Sequence, residues 1–155
     1  MTGVDISELE KLSKTMTELS ERIPQYKRQL HQEIAAAALD EVREAIGQKA
    51  KGGKTTGALA GWQEYSTGKY GGYAKIQPKR NTFEKGYAVG YITNAAENGH
   101  RIRRPSGKWR HYRARIVHRY VTGLGFYELA RGKAEKIAID AAEELLSKIA
   151  GKMQA

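Results

Sequence analysis

Apolar residues recur at helical spacing through the first fifty positions, and no other pattern in the chain limits its fold as strongly. Ile6, Leu9, Leu12, Met16, Leu19 and Ile23 are separated by three or four residues, which puts them on one narrow stripe of a helix that Asp5 or Ser7 is placed to cap. Pro24 has no backbone donor, so this helix is expected to end or kink there, leaving an N-terminal helical arm over residues 1–23. A second helix is expected over 25–49, with Tyr26, Leu30, Ile34, Ala38, Val42 and Ile46 facing inward and an alanine-rich middle that lets another element come close. A narrow stripe also suits the seam between two helices, so the arm has two readings: part of the core, or a contact lying on a partner subunit.

Residues 50–57, Ala-Lys-Gly-Gly-Lys-Thr-Thr-Gly, read as a flexible connector. Glycines beside Lys54 and Thr55 resemble a phosphate loop only superficially. The spacing Gly-x-x-x-x-Gly-Lys-Ser/Thr is absent, and a helix precedes where that loop needs a strand. Three short strands are then expected, over Leu59–Ser66, Gly71–Gln77 and Tyr87–Thr93, separated by turn-rich Thr67-Gly68-Lys69 and Pro78-Lys79-Arg80-Asn81. Consecutive strands without helices between them form an antiparallel meander, so residues 57–100 are assigned to a small antiparallel sheet. A basic loop or hairpin arm over 101–122 follows. Gly123-Leu124-Gly125 gives a hinge, and a C-terminal helix is expected over 126–150. The fold class is α+β, in a single domain spanning 1–155.

The charge is concentrated. Arg101, Arg103, Arg104, Lys108, Arg110, Arg113, Arg115 and Arg119 lie between Glu97 and Glu128 with no acid among them, and supply most of the net charge of +10. The first fifty residues are slightly acidic, nine acids against seven bases. Such a segment points to nucleic acid, an anionic surface or the acidic face of another subunit. Arginines grip phosphates bidentately, and Trp109, Tyr112 and Tyr120 among them offer stacking surfaces for bases or guanidinium planes. Alternation of Tyr112, Ala114, Ile116, His118 and Tyr120 with cations favours an extended arm or hairpin, although Trp109, Tyr112, Ile116 and Tyr120 also fit a helix.

Catalytic chemistry finds little foothold. The chain has no cysteine, hence no disulfide framework and no thiol nucleophile, which suits a reducing compartment. His31, His100, His111 and His118 show no compact metal spacing, there is no Gly-x-Ser-x-Gly elbow, and Glu143-Glu144 sits on a helix whose charges look solvated. No enzyme, metal or cofactor is expected. The longest apolar run, Ile34 to Leu39, falls far short of a membrane span, and the N-terminus lacks an apolar signal region, so a soluble protein without membrane contact is expected.

Three short signatures, in order, resemble the gene-product-ten-like tail-component family of long-tailed bacteriophages. Thr56-Gly57-Ala58-Leu59-Ala60-Gly61-Trp62 is similar to the family's Thr-Gly-x-Leu-x-x-Ser/Trp after its long helix. Tyr91 through Glu97-Asn98-Gly99-His100-Arg101 is similar to its aromatic strand leading into Glu-x-Gly-Thr/His-Arg. Gly123-x-Gly125-Phe126-Tyr127 before an alanine-rich helix is similar to its Pro/Gly-x-Phe step. Two departures stand beside them. The proline that often precedes the first signature is replaced by Lys54-Thr55, and Arg103 to Tyr120 is longer than the family's usual loop.

The resemblance implies a structural virion protein, a tail-completion or head-tail joining component forming a hexameric ring in the neck. It also implies phage neck and tail proteins as partners, packaged DNA in the channel as a further one, and residence in the host cytoplasm during assembly. Gly57, Leu59, Trp62, Glu97, Gly99, His100, Gly125 and Phe126 are the structural positions of its motifs. The residues have physical readings of their own: Gly57 at positive φ in a helix-to-strand turn, Leu59 and Trp62 anchoring the first strand, Asn98-Gly99 turning the chain after the third. The competing expectation is a stand-alone nucleic-acid-binding module using the same basic arm, and a third is an assembly chaperone absent from the finished particle.

Overall fold

The computed structural model describes residues 7–50, 54–102 and 120–154. Among the described residues ten elements follow in order: α1 (Ser7–Lys49), α2 (Lys54–Gly61), β1 (Gln63–Thr67), β2 (Ala74–Pro78), β3 (Phe83–Glu84), β4 (Tyr87–Ala88), α3 (Val89–Asn98), β5 (Gly99–Arg101), β6 (Tyr120–Thr122) and α4 (Phe126–Gln154). The class is α+β, as expected.

The helix expected to break at Pro24 runs through it: α1 is one helix of 43 residues with Pro24 inside. Proline removes a single intrahelical bond and costs about 3 kcal/mol. The apolar stripe keeps its phase across the site, from Leu19 and Ile23 to Tyr26 and Leu30, so one continuous helix serves both halves. Glu8 and Glu10 in its first turn and Lys49 in its last oppose the helix dipole in the stabilising sense.

Helix α4 lies antiparallel to the C-terminal part of α1. Lys133 Nζ meets Glu41 Oε2 at 2.9 Å and Glu44 Oε2 at 3.5 Å, while near the other end Lys152 Nζ donates to Tyr26 Oη at 2.8 Å. The paired Glu41 carboxylate, and Glu44 beside it, hold the Lys133 ammonium above its usual range. The core gathers at the first of these ends, where Val42, Ala45 and Ile46 of α1, Leu59 of α2, and Phe126 and Ala130 of α4 are buried together. Trp62, Ile76, Ala96, Leu124 and Tyr127 pack around them. The expected anchoring by Leu59 and Trp62 is therefore present, with Leu59 on a helix.

The strand region departs furthest from expectation. Residues 54–61 form α2 instead of opening a strand, since Ala58, Leu59 and Ala60 favour helix and Trp62 N–H closes the last turn on Ala58 O at 3.0 Å. Gly57 sits inside that helix without positive φ. The strand expected over Tyr87–Thr93 ends at Ala88, and Val89 begins α3. Val89 and Thr93 are four apart and both buried, with Ala96 one turn on, which is a helical face and not an alternating one. In place of one meander, the described residues form three two-stranded antiparallel sheets, β1–β2, β3–β4 and β5–β6. The C-terminal helix reaches Gln154, four residues past its expected end at 150.

The β1–β2 hairpin pairs Gln63 with Pro78 through Thr67 with Ala74. Its turn is fastened to α1, since Gly71 at φ 68° brings its carbonyl to His31 Nδ1 at 2.6 Å, so that nitrogen carries the proton and donates. An added Cβ on Gly71 would lie 2.8 Å from Arg28 Cβ, so glycine is required there twice over.

Candidate functional site

The basic segment joins the described chain at the β5–β6 ribbon, in which Gly99 pairs with Thr122, His100 with Val121 and Arg101 with Tyr120. Arg101 and Tyr120 close its base, and both are exposed. Arg103, Arg104, Lys108, Arg110, Arg113, Arg115 and Arg119, and the hairpin expected of them, lie outside the described residues. What the structure describes is the mounting of that segment.

The mounting is built at the meeting of α3, β6 and α4. A helix end leaves its last carbonyls without intrahelical donors. At the end of α3 those carbonyls are met by the chain returning from the basic segment. Leu124 N–H reaches Ala96 O at 2.8 Å, Gly125 N–H reaches Glu97 O at 3.1 Å, and Tyr120 Oη donates to Asn98 O at 2.9 Å. Two glycines make this crossing possible. A Cβ on Gly123 would stand 2.2 Å from Glu97 O and 2.5 Å from Asn98 C, and one on Gly99, at φ 79°, would stand 2.4 Å from Val121 O. Gly123-Leu124-Gly125, expected to be a hinge, is a tight crossing.

Gly125, at φ 62°, precedes α4 and has no side chain with which to cap it. Glu97 supplies the cap from α3. Its Oε2 accepts from Phe126 N–H at 2.7 Å, and both oxygens accept from Tyr127 N–H at 3.2 Å. A carboxylate on the first free donors of a helix is favoured by hydrogen bonding and by the helix dipole together. Tyr127 continues the network inward. Its hydroxyl donates to Gln63 Oε1 at 2.5 Å, and Gln63 Nε2 donates to Leu59 O at 2.9 Å and contacts Thr93 Oγ1 at 3.4 Å. Gln63 and Thr93 are buried, so each polar atom here needs its partner. Burial, with the Glu97 carboxylate adding to it, pushes the Tyr127 hydroxyl up to about 12.

Of the residues singled out in the sequence, Leu59, Trp62, Glu97, Gly99, Gly125 and Phe126 come together at this junction. Gly57 is exposed on α2, and His100 and Arg101 are exposed on the ribbon, with His100 Nδ1 at 3.4 Å from Ala95 O. Gln63 and Thr93 were not singled out in the sequence. They are polar residues thirty apart with no local pattern linking them.

Chemically the junction positions and supports; its polar groups are spent on one another. Among the described residues, no group of three His, Cys, Asp or Glu side chains is placed to hold a metal ion, and no helix is long and apolar enough to cross a membrane. The chain matches no family model, no curated protein and no solved structure.

Proposed function

We propose that the chain is a structural subunit of a tailed-phage particle, a tail-completion or head-tail joining component that assembles as a hexameric ring in the neck. The observation that carries this reading is the convergence of its three signature segments. Leu59 and Trp62 from the first, Ala96 and Glu97 from the second, and Phe126 and Tyr127 from the third pack at one junction and share its hydrogen bonds. That junction holds both ends of the basic segment, so the residues carrying the resemblance are the ones that present the cations. In a ring the segment faces either an acidic collar or the DNA in the channel, and repeated head-to-tail contacts close the circle.

The test is electron microscopy of particles grown from a genome carrying a stop codon at Trp62. Filled heads beside detached tails, or tails with faulty ends, support the neck reading, and intact infectious particles overturn it.

A second reading, a stand-alone nucleic-acid-binding module, is favoured by one local feature: Arg101 and Tyr120 sit side by side and exposed at the base of the basic segment. On that reading the isolated protein binds duplex DNA, with affinity falling by orders of magnitude between about 50 and 200 mM salt. Replacing Arg103, Arg104, Arg113 and Arg115 together then abolishes the binding, whereas full retention removes the segment as the contact.

A further inference from the structure

Beyond the junction, at the other end of the helical pair, two apolar stripes have no partner element among the described residues. On α1, Leu9, Leu12, Met16 and Ile23 are exposed, Leu9 by 66% and Met16 by 53%, while Leu19 in the same stripe is buried. On α4, Ile139, Leu146 and Met153 are exposed, Leu146 by 65%. The α4 stripe is not the face turned to α1: Phe126 and Ala130 point to the core, whereas Ile139, Leu146 and Met153 stand on another side of the helix. Because the last turn of α4 lies beside Tyr26, the α1 residues from Met16 back to Leu9 extend about 15 to 26 Å beyond it. Between the helices, Tyr26, Leu30, Leu145 and Ile149 line a groove of about 250 Å³, so even the paired portion is not closed at this end.

The two stripes match. Leu9, Met16 and Ile23 are each seven residues apart, and so are Ile139, Leu146 and Met153. Each stripe therefore spans two heptads, about 21 Å of helix, with the repeat that lets one helix seat its side chains between those of another. The charges permit a like molecule as the occupant. The projecting turns carry Glu8, Glu10, Glu18 and Glu21 against Lys11, Lys14 and Arg22, and α4 from Glu135 onward carries Glu135, Asp140, Glu143 and Glu144 against Lys136, Lys148 and Lys152, so two near-neutral helix surfaces meet without large like-charge repulsion.

We infer that these stripes bind each other between copies: the projecting turns of α1 in one subunit lie along the exposed face of α4 in a second copy of this chain. The contact is heterologous, because arm meets face and not arm, and it is the geometry from which closed rings are made. It deepens the ring reading above, but stands or falls in solution, whereas the particle location is read from the stop-codon mutant.

The chain has no cysteine, so single-cysteine variants report unambiguously. Full-length Met16→Cys mixed with full-length Leu146→Cys under mild oxidation is expected to give a cross-linked dimer containing one copy of each. A cross-link that forms only between two Met16→Cys copies would overturn the proposal, because the arms would then be pairing with one another. So would the absence of any cross-link together with a 17.3 kDa monomer by light scattering at about 100 μM. In parallel, the double variants Leu9→Asp/Met16→Asp and Ile139→Asp/Leu146→Asp are each expected to be monomeric alone and to form one-to-one pairs when mixed, since one intact arm then meets one intact face. A face variant that assembles as the wild type does contradicts the contact. The cysteine variants, being mild, keep the test valid if the aspartates unfold the chain.

Discussion

The two ends of the molecule are finished in opposite ways. At the junction, the last carbonyls of α3 and the first donors of α4 are answered by backbone, by Glu97 and by Tyr120, and two glycines let the chains cross within contact of bare backbone. At the helical end, large apolar side chains from both long helices face outward, uncovered by any described element. A junction that satisfies itself fixes a shape, whereas an apolar surface left open at regular spacing is a demand for another molecule. The difference separates what one chain completes from what assembly completes. It also predicts that substitutions at the two ends fail differently, at the junction by unfolding and at the helical end by dissociation.

The largest effect is expected from Phe126→Ala. Phe126 is fully buried where α1, α2 and α4 meet, and its removal should lower unfolding free energy by about 3–5 kcal/mol in urea titrations. Next comes Gly123→Ala, whose new methyl meets backbone atoms that cannot swing aside; a loss of about 1–3 kcal/mol or more is expected. Gly132→Ala is its control, because nothing lies within 4 Å of that site on α4, and the change should stabilise by about 1 kcal/mol or less. Equal effects of the two glycine changes would mean that the chains do not cross as described.

Glu97→Ala removes the borrowed cap of α4 and should cost about 1–2 kcal/mol, with helix content falling at the start of α4 by amide exchange. Tyr127 adds a dependence on pH. Its folded-state hydroxyl titrates near 12 against 10.0 for an ordinary tyrosine, so its contribution is fully present below pH 10 and is lost as the pH rises through 12. Ultraviolet titration of the folded protein should show one tyrosine ionising last, and Tyr127→Phe should abolish that late step. The smallest effect belongs to the other end: Leu9→Ser should leave the unfolding free energy of the dilute chain within about 0.5 kcal/mol while weakening self-association.

Much of this contrast was legible in the sequence, and unevenly so. The stripe of α1 follows from spacing alone, and the choice for the arm between core and partner contact was visible before the structure; the outward stripe of Ile139, Leu146 and Met153 on α4 emerges only from their exposure in the fold. Pro24 misled because a proline is a local signal, while the phase of the stripe across it is a longer-range one. The segment from Tyr87 to Thr93 misled because seven residues rich in aromatic and branched side chains fit both periods; burial of Val89 and Thr93 on one face decides for helix. The junction was legible as residues but not as an arrangement. Glu97 and Phe126 were singled out, yet only the fold brings a carboxylate from α3 to the start of a helix 29 positions later. Gln63, Thr93 and Tyr127 belong to a network that exists only in three dimensions.

Hydrogen exchange of the full-length protein at low and high concentration tests the division most directly. Amides of α1 over residues 8–22 and of α4 over 139–153 are expected to gain protection as concentration rises, while those of 93–101 and 120–130 exchange at unchanged rates. Protection that rises at the junction instead, or that is independent of concentration at the helical end, would contradict it.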